Sequence, residues 1–206
     1  MSPSPTKTSG PTTERGEETR GQILEQAARA IADNGIAGWS LNDLIRQSGL
    51  TKGAFYFHFP SKDDLVHEVY RYQQQKWFAR VAGAVASEPR ALARLLAVPR
   101  VLVDVHRTDP TARAFERLCT ELSSDTSFRV DMRAAMDGWE DMVAQLLREA
   151  RDEGDVHRDV DVDAVARICV AGFIGMEELS YALADGADLG DRVEEFLELL
   201  LRAIAI

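Results

Sequence analysis

Cysteine is nearly absent from this chain of 206 residues: Cys119 and Cys169 are far apart and form no C-x-x-C pair. That excludes a disulfide framework and a cysteine-built zinc site, and both thiols are expected to sit reduced in apolar surroundings. Long apolar runs are also missing. Nothing approaches the roughly 18 residues of a membrane span, and the opening MSPSPTKTSGPTTERGEE has no apolar segment of the kind a secretory signal carries. The expectation is a cytoplasmic protein without membrane contact. Alternating strand patterns and Asn-Gly hairpin signals between apolar runs are absent as well.

Catalytic signatures are equally scarce. There is no G-x-S-x-G elbow, no phosphate-binding loop and no dinucleotide fingerprint. His58, His67, His106 and His157 form no H-E-x-x-H pair, and His67-Glu68 reads as a solvated surface pair. Asp159-Val-Asp-Val-Asp163 invites a calcium reading, but an EF-hand loop needs Gly at its sixth position and Glu at its twelfth. Ala164 and Val170 stand there, so a turn and a helix N-cap account for the aspartates better. No catalytic residue, metal ligand or cofactor is expected, and an enzyme would have to hide its chemistry completely.

What remains reads as all-α. Residues 1–17, rich in Ser, Thr, Pro and Gly, are expected to be a mobile tail. A first helix spans about 18–34, with Ile23, Ala27, Ala30 and Ile31 on one stripe, and ends at Asn34-Gly35. Ser40-Leu-Asn-Asp43 resembles a capping box that opens a second helix, with Leu41, Leu44 and Ile45 inward. Thr51 caps a short third helix that ends before Pro60. Ser61-Lys-Asp-Asp64 starts a fourth, carrying Leu65, Val66, Val69 and Tyr70, which Ser87-Glu-Pro89 breaks. Further helices are expected over 90–107, 110–123, 130–153, 161–185 and 189–205. The expected division is a tail at 1–17, a three-helix unit at 18–62 and a larger helical unit at 63–206.

The net charge of −10 argues against a nucleic-acid partner until its distribution is considered. Residues 1–60 are balanced, and the remainder carries the whole excess. No acid occurs between Asp43 and Asp63, whereas Arg46, Lys52, His58 and Lys62 do. A local positive window is what phosphate contact requires, and an acidic remainder discourages the wrong face from lying on DNA.

Two short helices joined through Gln47-Ser-Gly-Leu50 make a helix-turn-helix. The second helix of such a pair can enter the major groove with its N-terminal residues aimed at base edges. Here those are Thr51, Lys52, Gly53 and Ala54. Lys52 can donate to guanine, Thr51 adds a hydroxyl, and Tyr56 can reach a phosphate or a base. His58 and Lys62 can hold backbone phosphates. Phe55 and Phe59, four apart, belong on one buried face. Phe57 is left open between core and surface.

The run Thr51-Lys-Gly-Ala-Phe-Tyr-Phe-His-Phe-Pro-Ser-Lys-Asp-Asp-Leu65 resembles the signature of TetR-family repressors, over roughly residues 18–68. The resemblance implies a homodimer whose N-terminal domain binds double-stranded operator DNA and whose larger domain binds a ligand. It carries DNA contacts onto Thr51, Lys52, Gly53, Tyr56, His58 and Lys62.

A narrower resemblance comes from Trp139-Glu-Asp-Met-Val-Ala-Gln-Leu-Leu147 followed by Glu-Gly-Asp-Val-His-Arg-Asp-Val-Asp-Val-Asp163, and from the TKGAxYFHF form of the recognition segment. Both resemble the γ-butyrolactone autoregulator receptors. That implies that Trp139 lines a pocket for a small amphipathic ligand; otherwise it is a core tryptophan. Phe115, Leu118, Met142, Val143 and Phe173 are candidate walls, each of which can equally be plain core. Ala171-Gly172 and Gly175, with Val193, Phe196, Leu197, Leu200, Leu201 and Ile204, suggest a four-helix dimer interface, the alternative being burial within one subunit.

The expected protein is therefore a ligand-released repressor of a palindromic operator, with a γ-butyrolactone-type signal. The alternatives are a TetR-type regulator of another ligand (an antibiotic, a lipid or a furan acid), a helical enzyme, and an adaptor that does not bind DNA.

Overall fold

The computed structural model describes residues 11–206. Among them run nine helices: α1 (Pro11–Asn34), α2 (Leu41–Ser48), α3 (Lys52–His58), α4 (Lys62–Ser87), α5 (Ala91–Thr108), α6 (Ala112–Glu121), α7 (Thr126–Asp152), α8 (Val162–Ala184) and α9 (Leu189–Ile204). No β-strand occurs among the described residues. One isolated antiparallel bridge, Val156 to Ala205, ties the end of the chain to the α7–α8 turn.

Local chemistry sets most of these boundaries. The side chains of Ser40, Thr51, Ser61 and Asp161 each accept the backbone N–H three residues on, at Asp43, Ala54, Asp64 and Ala164. Each such cap contributes about 1 kcal/mol. Asp43 and Asp64 close the boxes from the other side, accepting the Ser40 and Ser61 hydroxyls at 2.6 and 2.7 Å. Gly49 ends α2 at φ 68°, the left-handed turn that swings the chain into α3.

The N-terminal boundary differs from the expected one. Residues 11–17, read as tail, are helical. Residues 1–10 of the expected tail lie outside the described residues.

Ile23, Ala27 and Ile31 of α1 pack with Leu44 and Ile45 of α2, Phe55 and Phe59 around α3, and Leu65 and Val69 of α4, all buried. α4 then continues as one unbroken helix into the larger bundle, where it packs on α5 and α6, while α6 also lies against α1. A polar knot holds α1, α4 and the start of α6 together. Lys76 Nζ meets Asp109 at 2.8 Å, Thr111 at 3.1 Å and Glu25 at 3.4 Å, and buried Gln73 donates to Thr111 at 3.1 Å. His67 is not the solvated residue expected. It is half-buried beside the Phe128 ring, while Glu68 pairs with Arg20 and Arg71.

The apolar face of α9 is largely used inside the chain. Val193, Leu197 and Ile204 are buried, because α9 packs on α5 and α8. α9 leaves Leu199 exposed, and α8 carries a stripe of exposed apolar residues: Ile168, Leu179 and Leu183 are 60, 52 and 72% exposed.

Candidate functional site

α3 presents its first turn outward. Thr51, Lys52, Gly53, Ala54, Tyr56 and Phe57 are all exposed, while Phe55 and Phe59 anchor the helix from behind. The ring centroids of Phe55 and Phe59 lie 6.3 Å apart. Truncating a buried Phe of this kind costs about 3–5 kcal/mol, so the anchor fixes the direction in which the outer face points. Phe57, undecided in the sequence, is 85% exposed with only His58 against its ring. Core packing gives it no role. The Thr51 hydroxyl accepts from Ala54 N–H at 3.2 Å, so capping is its part within the fold.

Gly53 has no structural need to be glycine. It is not among the residues with positive φ, and a Cβ built on it meets nothing within 4 Å. Gly53 is the second residue of α3, and the open space beside it leaves room for close approach from outside the chain. Gly53→Ala is expected to raise thermal stability slightly and to weaken duplex binding. A variant equal to the parent in a DNA titration would show that nothing approaches this turn.

Lys62, expected to hold a phosphate, is engaged within the fold. Its ammonium donates to the carbonyls of Ile36 and Trp39 at 2.6 and 2.7 Å and lies 4.2 Å from the centre of the Trp39 ring. Through these contacts it holds the α1–α2 connection against the start of α4. His58 is half-buried at the end of α3, and Lys52 is exposed with no ion pair among the described residues.

The larger bundle encloses a cavity of about 400 Å³. Of the six expected wall residues, Trp139, Phe115, Val143 and Phe173 line it. Leu118 and Met142 do not. Leu118 is fully buried and faces the core behind α6, and Met142 lies off the α7 stripe Met132–Met136–Trp139–Val143 that faces the space. Sequence reasoning missed Trp77, Leu95, Pro99 and Phe196. Both free cysteines also reach the cavity, and burial pushes their thiols up, Cys119 to about 12 and Cys169 to about 11. Trp139 stands edge-on to Trp77, with centroids 6.1 Å apart, and 5.8 Å from Phe78.

One end of this apolar space is polar. Glu116 of α6 and Glu177 of α8 line it, and His106 of α5 lies between them. His106 Nδ1 is 3.3 Å from Glu116 and 3.1 Å from the Tyr181 hydroxyl, and its Nε2 meets Glu177. Burial raises both carboxyls above the usual range, the Glu177 charge adding to the effect on Glu116, and burial lowers His106. A readable signal for these acids did exist: each sits on the apolar stripe of its helix, Glu116 beside Phe115 and Cys119, Glu177 beside Phe173.

α6 joins the two regions. Phe115, Glu116, Cys119 and Thr120 face the cavity, while the next residue, Glu121, accepts Ile36 N–H at 2.8 Å just after α1.

Comparison with known proteins agrees with this geometry. Residues 23–69 match the bacterial regulatory proteins of the tetR family, and residues 80–205 match a tetracyclin repressor-like C-terminal domain. The A-factor receptor protein of Streptomyces griseus is 27% identical over 93% of this chain, which spans 65% of that receptor's length. The solved structure of tylp, a tetR regulator from Streptomyces fradiae, is 33% identical with a TM-score of 0.73, covering 93% of this chain and 89% of that one. A gamma-butyrolactone receptor described as ArpA-like is 25% identical with a TM-score of 0.68, covering 93% and 91%.

Proposed function

The chain belongs to the tetR family of bacterial regulatory proteins and is a ligand-responsive transcriptional repressor, and we propose that it acts in the cytoplasm as a homodimer on a palindromic operator, released by a γ-butyrolactone-type signal. It is a regulator rather than an enzyme. The observation that carries the reading is the placement of α6 between cavity and DNA-facing unit. A ligand seated among Trp139, Phe115 and Phe173 bears on α6, and α6 bears on the α1–α2 connection through Glu121. Movement there changes the aim of α3.

On the DNA side, Lys52 and Tyr56 supply donors, and the open Gly53 turn permits close approach. Phe57, on the same outward side, suits a thymine methyl. The ligand side is a mostly apolar space with a few polar groups at one end, as small-molecule sites generally are, and a lactone with an alkyl tail fits that division. Release requires the ligand to bind the DNA-incompetent state more tightly than the competent one.

Gel-shift titration against fragments recovered by genomic pull-down tests both halves. The expected result is a shift on palindromic fragments that alkyl-substituted butyrolactones reverse. Tyr56→Ala should weaken the shift roughly 5- to 30-fold, the value of one or two kcal/mol of lost contact, with thermal unfolding unchanged. A shift unaffected by Tyr56→Ala would remove α3 from the interface, and a shift no lactone reverses would remove the lactone.

A further inference from the structure

His106, Glu116 and Glu177 come from three different helices, yet a ligand atom of each lies within 4.8 Å of the others. All three side chains are at least nine-tenths buried: 4, 10 and 7% exposed. The Glu116 and Glu177 carboxyls share a hydrogen bond and the Tyr181 hydroxyl meets His106 Nδ1, yet polar atoms are left over. His106 Nε2, Glu116 Oε1 and Glu177 Oε1 lack a hydrogen-bond partner of proper geometry. Buried polar atoms are nearly always paired, and orphaned ones call for an explanation. The Arg113 guanidinium, whose charge acts on Glu116, stacks 4.7 Å from the centre of the Tyr181 ring and forms no ion pair with either acid among the described residues. A ligand cavity that needed only apolar walls would not gather two carboxylates and an imidazole against each other.

What three converging lone-pair donors lack is an electrophile. Two carboxylates balance a charge of +2, and the imidazole supplies a nitrogen. That mixture suits zinc, manganese, iron, cobalt or nickel rather than calcium, which takes oxygen ligands alone. We propose that His106, Glu116 and Glu177 bind one divalent first-row transition-metal ion at the inner end of the cavity. Three protein ligands leave coordination open, and Glu116 and Glu177 both line the cavity, so the open side faces the space where an organic ligand sits. His106 and Tyr181 also border a smaller hollow of about 200 Å³ beside Arg107 and Asp185, which brings the cluster near the surface on its other side. The ion would join α5, α6 and α8 at one point. The assignment holds whether or not the organic ligand is a lactone.

The test uses the full-length protein, stripped with a chelator and titrated with Co²⁺ while visible ligand-field absorption is followed, with Zn²⁺ as competitor. Neither DNA nor an organic ligand is needed for this readout. One Co²⁺ per chain is expected, displaced by Zn²⁺. Glu177→Gln and His106→Gln should each weaken it at least tenfold, while His157→Gln, at an exposed histidine outside the cluster, leaves it unchanged. Thermal unfolding of each variant confirms that it is folded; Glu177→Gln keeps the shape and removes a buried charge. Absence of a saturable band, or a band indifferent to both cluster variants, overturns the proposal. So does stabilisation of the parent, but not of Glu177→Gln, by a hydrophobic amine such as octylamine with no response to Co²⁺ or Zn²⁺; the acids would then be an ammonium site.

Discussion

A Leu179→Glu, Leu183→Glu double variant is expected to sediment as a monomer and to lose operator affinity by roughly 10²–10⁴-fold, the advantage that linking two binding units ordinarily confers. Ile168, Gly172, Gly175, Leu179 and Leu183 recur at helical spacing along α8, and the three large side chains among them are mostly exposed. Single exposed apolar residues are common on monomers, but a continuous stripe marks an interface. Two-fold pairing places the same patch on both partners, so two glutamates per chain bring four carboxylates into one desolvated seam. Neither leucine supports its own subunit's core, so the variant keeps its helical spectrum. A double variant that still sediments as a dimer would move the interface elsewhere.

Trp139→Phe is expected to weaken ligand-induced release about 5- to 30-fold while leaving operator affinity within twofold. Trp139 is mostly buried and packs on Trp77 and Phe78, so alanine there would cost about 3–5 kcal/mol and confuse folding with binding. Phenylalanine keeps the aromatic contact, worth about 0.5–1.5 kcal/mol. It removes the N–H donor and part of the ring surface, a loss of about 1–2 kcal/mol of affinity. Isothermal titration with the lactone, alongside a gel shift, separates the two effects. Equal ligand affinity in parent and variant would return Trp139 to the plain core.

Features decided within a few residues were legible in the sequence. The caps at Ser40, Thr51 and Ser61 act over three positions, and the Phe55–Phe59 anchor over four, so periodicity and side-chain chemistry suffice to find them. The contacts of Lys62 within the fold were not legible, because the carbonyls of Ile36 and Trp39 lie on a connection more than twenty residues upstream. The cavity was half-read for a similar reason: α7 shows its stripe alone, but only packing brings Trp77, Pro99 and Phe196 to the opposite walls. Pro99 stands inside α5, where it removes the N–H that would pair with the Leu95 carbonyl, and both residues face the cavity. The expected four-helix interface drew on both α8 and α9, but hydrophobicity does not say which apolar face a neighbouring helix will use, and Val193, Leu197 and Ile204 of α9 are buried within the chain.

α8 deserves to be considered as a partition. Val170, Phe173 and Glu177 face the cavity, and Ile168, Leu179 and Leu183 lie on the opposite side of the same helix. In the proposed α8-paired dimer, one helical thickness separates each chamber from the dyad, and the two chambers stand back to back across a pair of shared walls. With that pairing, a wall displaced by the first occupant is the wall against which the second chamber is built. The expected result is a dose–response curve for release that departs from simple hyperbolic saturation.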